Sequence, residues 1–124
     1  MVMLIAGTHV FGTSREELIT VQAGQVWNDR AGLSRSGYYN DVQTCLYAVY
    51  PISGTDTYTH LQFKASNSSG IIILNSPYYV LHEGDGVVQF LIKNGYLNTQ
   101  IVYFSFRGND PNLGAKADVW YDAK

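Results

Sequence analysis

The chain has 124 residues, 46% of them hydrophobic, and a net charge of −2. This length is enough for one domain with a real core, and the hydrophobic content excludes intrinsic disorder. The eight Lys and Arg residues are spread singly from Arg15 to Lys124, whereas nucleic-acid-binding proteins cluster them. We therefore predict one domain over residues 1–124, with no nucleic acid as partner.

The apolar stretches are shorter than the about 20 residues that a membrane-spanning helix needs. The segment Met1–Ala6 starts with apolar residues but has neither the positive charge nor the apolar length of a signal peptide. We therefore expect no membrane insertion, and a chain that is cytoplasmic when made or exported by a route that its N-terminus does not show.

Apolar and polar residues alternate along most of the chain, and this pattern predicts strands rather than helices. The exception near the start is Ser14–Glu17, whose first and last residues have capping-box spacing and predict a single helical turn. Strands are predicted in the first half at Val2–Ala6, Leu18–Trp27 and Asp41–Tyr50.

The regular alternation of Tyr58–Ala65 predicts the next strand. Leu61 and Phe63 fall on one face, and His60 and Gln62 fall on the other. Such a strand is expected to have one side on the core and the other in water.

A hairpin is predicted between Val87–Lys93 and Tyr96–Phe106, because Asn94–Gly95 tolerates the positive φ angles of a type I′ turn. Other strands in the second half are predicted at Ile71–Leu74, Tyr78–His82 and Ala117–Tyr121.

Turn signals recur roughly every ten residues, which is typical of a sandwich or barrel. The predicted fold is all-β: a jelly-roll-like antiparallel β-sandwich of about eight to ten strands. The predicted loops are Asp29–Asn40, Ile52–Asp56, Ser66–Gly70, Glu83–Gly86 and Arg107–Lys116.

Cys45 is the single cysteine, which excludes an intramolecular disulfide and zinc binding by paired thiolates. Its neighbours form an apolar strand pattern, so a buried structural thiol is predicted rather than a reactive one.

A first candidate site lies in the loop after the aromatic strand, where Asn109, Asp110 and Asn112 are followed by Asp118. Their oxygen atoms suit calcium, and the same groups suit sugar hydroxyls. The alternative is an ordinary turn, in which Asp and Asn close Asx-turns and Pro111 presets φ.

An aromatic strand, then Asn-Asp with Pro and Gly nearby, then a closing strand loosely resembles small calcium-dependent bacterial lectins with jelly-roll folds. The resemblance implies calcium-assisted sugar binding in the C-terminal third. Here the proline directly follows Asp110, and Ala-Lys-Ala follows Gly114 in place of further asparagines. This departure removes the later ligands, so the chain is not assigned to that family.

A second candidate site combines aromatic rings with polar side chains. Rings can stack on sugars while amides and carboxylates bind hydroxyls. The alternative is a core or sheet-edge Trp27 beside a solvated turn at Asp29–Arg30. The predicted ligand-binding residues are Trp27, Asn28, Asp29, Tyr38, Tyr39 and Asn40, with Arg30, Arg35 and Asp41 nearby.

No catalytic constellation is apparent. The three histidines, His9, His60 and His82, lack metal-ligand spacing, and Glu83 and Asp85 sit together at a predicted turn tip. We therefore predict a protein that is not an enzyme, although triads built from distant residues cannot be seen in one sequence.

The ten tyrosines indicate a recognition surface, above all the doublets Tyr38–Tyr39 and Tyr78–Tyr79. The leading hypothesis is a non-catalytic, lectin-like carbohydrate-binding protein that forms homo-oligomers, with calcium as a candidate cofactor. The alternative is a structural subunit of a virion, tail or surface appendage, since tyrosine is favoured at interface cores.

Overall fold

The computed structural model describes residues 13–55 and 57–124, which form two antiparallel sheets packed together. The described part of the chain contains no helix, so the predicted all-β sandwich is confirmed, while the jelly-roll detail stays a prediction. The strands are β1 (Ser14–Val21), β2 (Asn28–Asp29), β3 (Leu33–Ser34), β4 (Asp41–Pro51), β5 (His60–Ser66), β6 (Tyr79–His82), β7 (Val87–Leu91), β8 (Ile101–Gly108) and β9 (Ala115–Asp122).

Sheet I has the strand order β1-β9-β4-β7, and sheet II has the order β2-β8-β5-β6, with β3 also paired to β8. Because side chains alternate across a strand, each sheet turns one set of residues to the other sheet. The core between them is rich in aromatic residues, among them Phe63, Phe104, Phe106 and Tyr121, all fully buried.

The predicted helical turn at Ser14–Glu17 is wrong, because these residues begin β1. The whole of β1 pairs with β9, from Ser14 opposite Asp122 to Val21 opposite Ala115. Eight residues of ladder pairing outweigh one local capping box. The strand predicted to run to Trp27 ends at Val21, where the chain enters a turn with Gly24 at φ 89°.

The predicted hairpin is also wrong. The Asn94–Gly95 turn exists, with Gly95 at φ 95° and the Tyr96 N–H donating to the Lys93 carbonyl at 3.1 Å, but Asn94 does not have a positive φ, so the turn is not of the predicted type I′. A second turn follows at once, in which the Thr99 N–H donates to the Tyr96 carbonyl at 3.0 Å. The two turns carry the chain from sheet I to sheet II, so β7 pairs with β4 while β8 pairs with β5.

The segment Ile71–Leu74 is not a strand; it makes isolated bridges at Ile72 and Leu74 and buries Ile73 in the core. The predicted loop over residues 29–40 contains β3. The predicted strand Val2–Ala6, together with His9 and Asp56, lies outside the described residues. The strands predicted at Asp41–Tyr50, Tyr78–His82 and Ala117–Tyr121 correspond to β4, β6 and β9 within two residues at either end.

Cys45 is buried on β4, as predicted. Across the described residues, no helix is long and apolar enough to cross a membrane.

A polar network joins the two sheets beside β1. The Arg30 guanidinium donates to both carboxylate oxygens of Glu17, at 3.0 and 2.9 Å, and the Tyr121 hydroxyl donates to the same carboxylate. The hydrogen bonds from Arg30 lower the pKa of Glu17, and burial raises the pKa of Tyr121. The network fixes Arg30, and with it the chain that follows β2.

Candidate ligand-binding site

The open face of sheet II carries polar side chains in the interiors of two neighbouring strands. In the register between β5 and β8, Gln62 lies opposite Arg107 and Lys64 lies opposite Ser105. Side chains of such cross-strand pairs on one face are close enough to interact. The pairing therefore gathers four polar groups from distant parts of the sequence.

Gln62 is the centre of a hydrogen-bonded array on this face. Arg107 Nε donates to Gln62 Oε1 at 2.6 Å, and Gln62 Nε2 donates to Asn109 Oδ1 at 2.8 Å. Only 5% of Gln62 is exposed. The expectation that this side of the strand lies in water is therefore wrong at Gln62, because neighbouring side chains cover it and satisfy both ends of its amide.

Two aromatic rings contact the guanidinium of Arg107. Its Cζ lies 4.2 Å from the ring centroid of Trp27 and 4.9 Å from that of Tyr78. Lys64 Nζ lies 4.6 Å from the same Trp27 centroid. Both distances from Trp27 are in the range of cation–π interactions, which attract the two cations to the indole.

Neither cation forms an ion pair within residues 13–55 and 57–124. The ion pairs of this part of the chain join Glu17 to Arg15 and Arg30, not to Lys64 or Arg107. Among the same residues, Arg107 donates hydrogen bonds through Nε alone. Its Nη groups are thus available to a ligand.

A pocket of about 330 Å³ adjoins this array and is lined in part by Tyr58, His60, Asn109 and Asp110. The buried Tyr58 hydroxyl accepts a hydrogen bond from the Asp110 N–H at 2.9 Å and so fixes the loop that follows β8. A Cβ at Gly108 would lie 2.4 Å from that hydroxyl, so the close approach requires glycine. Asn109 lines the pocket and is also a member of the array, so the pocket and the array together form one site.

Two loops position Trp27 beside Arg107. The Gly24 N–H donates to the Pro111 carbonyl at 2.7 Å, which fastens the turn after β1 to the loop after β8. The chain then enters β2, where Asn28 lies opposite Phe106. Antiparallel pairing places the preceding residue, Trp27, next to Arg107.

Of the predicted ligand-binding residues, the structure brings Trp27, Asp29, Asn109 and Asp110 to this end of sheet II. Asp29 Oδ1 accepts a hydrogen bond from the Ser105 hydroxyl at 2.6 Å. Asn28 is used internally, since its Nδ2 donates to the Thr20 carbonyl at 2.7 Å and its Oδ1 accepts from Arg30 at 2.9 Å.

The four predicted calcium ligands do not share one location. The Asp110 carboxylate accepts from the Asn112 N–H at 2.7 Å, which is the Asx-turn of the alternative interpretation. Asp118 lies on β9, and its carboxyl contacts Glu16 and raises the Glu16 pKa. The described residues hold no group of three or more His, Cys, Asp or Glu side chains that could bind a metal ion.

Tyr38, Tyr39 and Asn40 lie at the opposite end of β8. They follow β3, which pairs with β8 at Ile101 and Val102, whereas β2 pairs at Ser105 and Phe106. The eight residues of β8 span about 24 Å, so the structure does not bring Tyr38 to Trp27.

A second concavity lies at that far end, lined in part by Arg35, Gly37, Leu97 and Ile101. Arg35 donates to four backbone carbonyls, those of Tyr39, Leu97, Thr99 and Ala123. These donors are therefore unavailable to a ligand, and the far end is the weaker candidate.

The two tyrosines of the second doublet have different environments: Tyr78 lies at the site, and Tyr79 packs against the core. Tyr78 is 42% exposed beside Trp27, at a ring-centroid distance of 6.4 Å. Tyr79 packs on Phe63 and Phe90, at 5.9 and 4.7 Å.

Three site residues were missed from the sequence: Gln62, Lys64 and Arg107. The available signal was a polar residue at every second position in β5 and near the end of β8. Their meeting depends on strand register, which the local pattern does not contain.

Compared with known proteins, the sequence matches no protein-family model and no curated protein.

Proposed function

We propose that this protein is a non-catalytic carbohydrate-binding protein whose site is the open face of sheet II next to the Tyr58–Asp110 pocket. The observation that carries the proposal is the hydrogen-bonded array Arg107–Gln62–Asn109, in which the Arg107 guanidinium contacts the rings of both Trp27 and Tyr78.

Sugars present hydroxyls at fixed angles together with small apolar patches, so they suit sites that combine oriented polar groups with an aromatic surface. The array supplies oriented donors at its two outer groups, the Nη groups of Arg107 and the Nδ2 group of Asn109. Because Gln62 and the two neighbouring rings already restrict Arg107, little side-chain freedom would be lost on binding.

The two aromatic residues have different roles in this proposal. The Trp27 ring contacts Arg107 and Lys64, so it supports the guanidinium and the ammonium. Tyr78 is the more exposed ring and offers the surface for a sugar to stack on. Calcium assistance stays a prediction, which a chelator tests.

Tyr78→Ala is expected to weaken glycan binding roughly five- to tenfold, since an aromatic contact contributes about 1 kcal/mol beyond its buried area. The measurement is binding to a broad glycan array, with and without a chelator. Tyr38→Ala is the matched control, because Tyr38 is 88% exposed but lies at the other end of β8. No binding by the unmodified protein on such an array, or equal losses in both variants, would refute the proposal.

A second candidate function, assembly into an oligomer, is favoured by the open face of sheet I. Leu18 on β1, Tyr47 on β4, and Val87 and Leu91 on β7 are all large apolar residues with more than half of their surface exposed, led by Leu18 at 64%. Exposed apolar residues on one sheet face are typical of a subunit interface.

If sheet I mediates assembly, light scattering should show the molar mass rising with protein concentration, and Leu18→Lys should keep the protein monomeric. Val80→Lys, at an exposed apolar position on β6 in the other sheet, is the matched control for the added charge. A strict monomer at millimolar concentration would count against this function.

A further inference from the structure

We infer that the saccharide bound on sheet II is acidic and that Arg107 and Lys64 together bind its carboxylate or sulfate group. This inference rests on the proposed carbohydrate-binding function and specifies its ligand.

The site places two positive charges against one indole ring. Arg107 Cζ and Lys64 Nζ lie 4.2 and 4.6 Å from the same Trp27 centroid, and no carboxylate of the described chain forms an ion pair with either. Contact with the same ring places the two cations at most about 9 Å apart, so they repel each other and a bound anion would relieve that repulsion. By contrast, the Arg30 guanidinium forms an ion pair with the Glu17 carboxylate.

Arg107 is held in place by three neighbouring side chains. Its Nε donates to Gln62, and its Cζ lies within cation–π distance of the rings of Trp27 and Tyr78, so its position is set before a ligand arrives. A guanidinium fixed in this way presents Nη donors in the fork that matches the two oxygens of a carboxylate or a sulfate.

The polar neighbours of the two cations are mostly neutral. Asn109 is exposed and suits a hydroxyl, whereas Gln62 and Ser105 are buried and hold their neighbours in place. Asp29 is the nearby acid of this face, and its Oδ1 accepts from the Ser105 hydroxyl. One anionic group surrounded by hydroxyls, as in a uronic acid or a sulfated sugar, fits this arrangement better than a ligand with many charges.

A nucleic acid fits less well. Its affinity grows with the number of phosphates that basic residues neutralise. This chain has eight basic residues and a net charge of −2. Two of the eight lie at this site, which is few for binding a chain of phosphates.

The test is calorimetric titration with matched neutral, carboxylated and sulfated oligosaccharides of glucose, galactose and mannose. At least one acidic form should bind about tenfold or more tightly than its neutral counterpart, as expected for charge-assisted hydrogen bonds. The carboxylated and sulfated forms show which anion is preferred. The preference should weaken as salt is raised.

Lys64→Gln should lower the ratio of acidic to neutral affinity roughly fivefold or more. Lys116→Gln is the matched control, since it removes the same charge from β9 in sheet I and should leave the ratio unchanged.

Equal affinity for neutral and acidic forms would overturn this inference while leaving the proposed function intact. Failure of every saccharide would instead overturn the proposed function. Polyphosphate or single-stranded DNA binding as tightly as the best acidic saccharide, with the same dependence on Lys64, would show that the ligand is an anion but not a sugar.

Discussion

Replacing Arg35 by methionine is expected to lower the free energy of unfolding by at least about 3 kcal/mol. Arg35 is 9% exposed, and its guanidinium donates to Ala123 at 3.0 Å, Leu97 at 2.9 Å, Thr99 at 3.2 Å, and also to the Tyr39 carbonyl. Methionine preserves much of the volume but removes every donor, so carbonyls from three segments lose a partner. Urea unfolding followed by tyrosine and tryptophan fluorescence measures the change.

Arg107→Met is the matched control for Arg35→Met. Arg107 is more exposed and makes one hydrogen bond within the described chain, through Nε to Gln62, so its loss should cost roughly 1–2 kcal/mol. If the two substitutions destabilise the protein equally, Arg35 does not hold the three segments together. Burial lowers the pKa of Arg35, yet an arginine remains charged at any pH suited to the experiment.

Phe63→Ala is expected to cost about 3–5 kcal/mol of unfolding free energy, because it leaves a cavity at the centre of the aromatic core. The Phe63 ring is fully buried and contacts both sheets of the sandwich. Its centroid lies 4.7 Å from that of Phe90 and 6.3 Å from those of Phe104 and Phe106. Calorimetric or urea unfolding gives the loss directly.

Phe63→Leu separates packing from hydrophobicity at the same position. It keeps an apolar side chain of smaller volume and should cost well under half as much as alanine. A cost of Phe63→Ala below about 1.5 kcal/mol would show that the neighbouring rings close the gap, and that the core is less tightly packed than its geometry indicates.

Local patterns were sufficient where a strand has one face on the core. The alternation in Asp41–Tyr50 and Ala117–Tyr121 predicts strands that the structure confirms within two residues, because inward and outward positions differ in polarity along the segment itself. The turn at Asn94–Gly95 was predicted for a similar reason, since only a few residues tolerate its backbone angles.

Local patterns failed where a partner far away in the chain decided the outcome. Ser14–Glu17 has the spacing of a helical capping box, but these residues pair with β9 and form part of sheet I. The strands on either side of Asn94–Gly95 do not pair with each other, because β7 pairs with β4 in sheet I and β8 pairs with β5 in sheet II.

The same contrast holds for the candidate site. The sequence by itself determined that the chain forms β-strands with one apolar and one polar face and is rich in aromatic residues, because composition and alternation are properties of neighbouring residues. Only the tertiary structure decided that Tyr78, rather than Tyr38, lies beside Trp27, and that Gln62 joins Arg107 to Asn109. These contacts depend on which strands pair and in what register, and a shift of one residue would turn every one of these side chains to the other face.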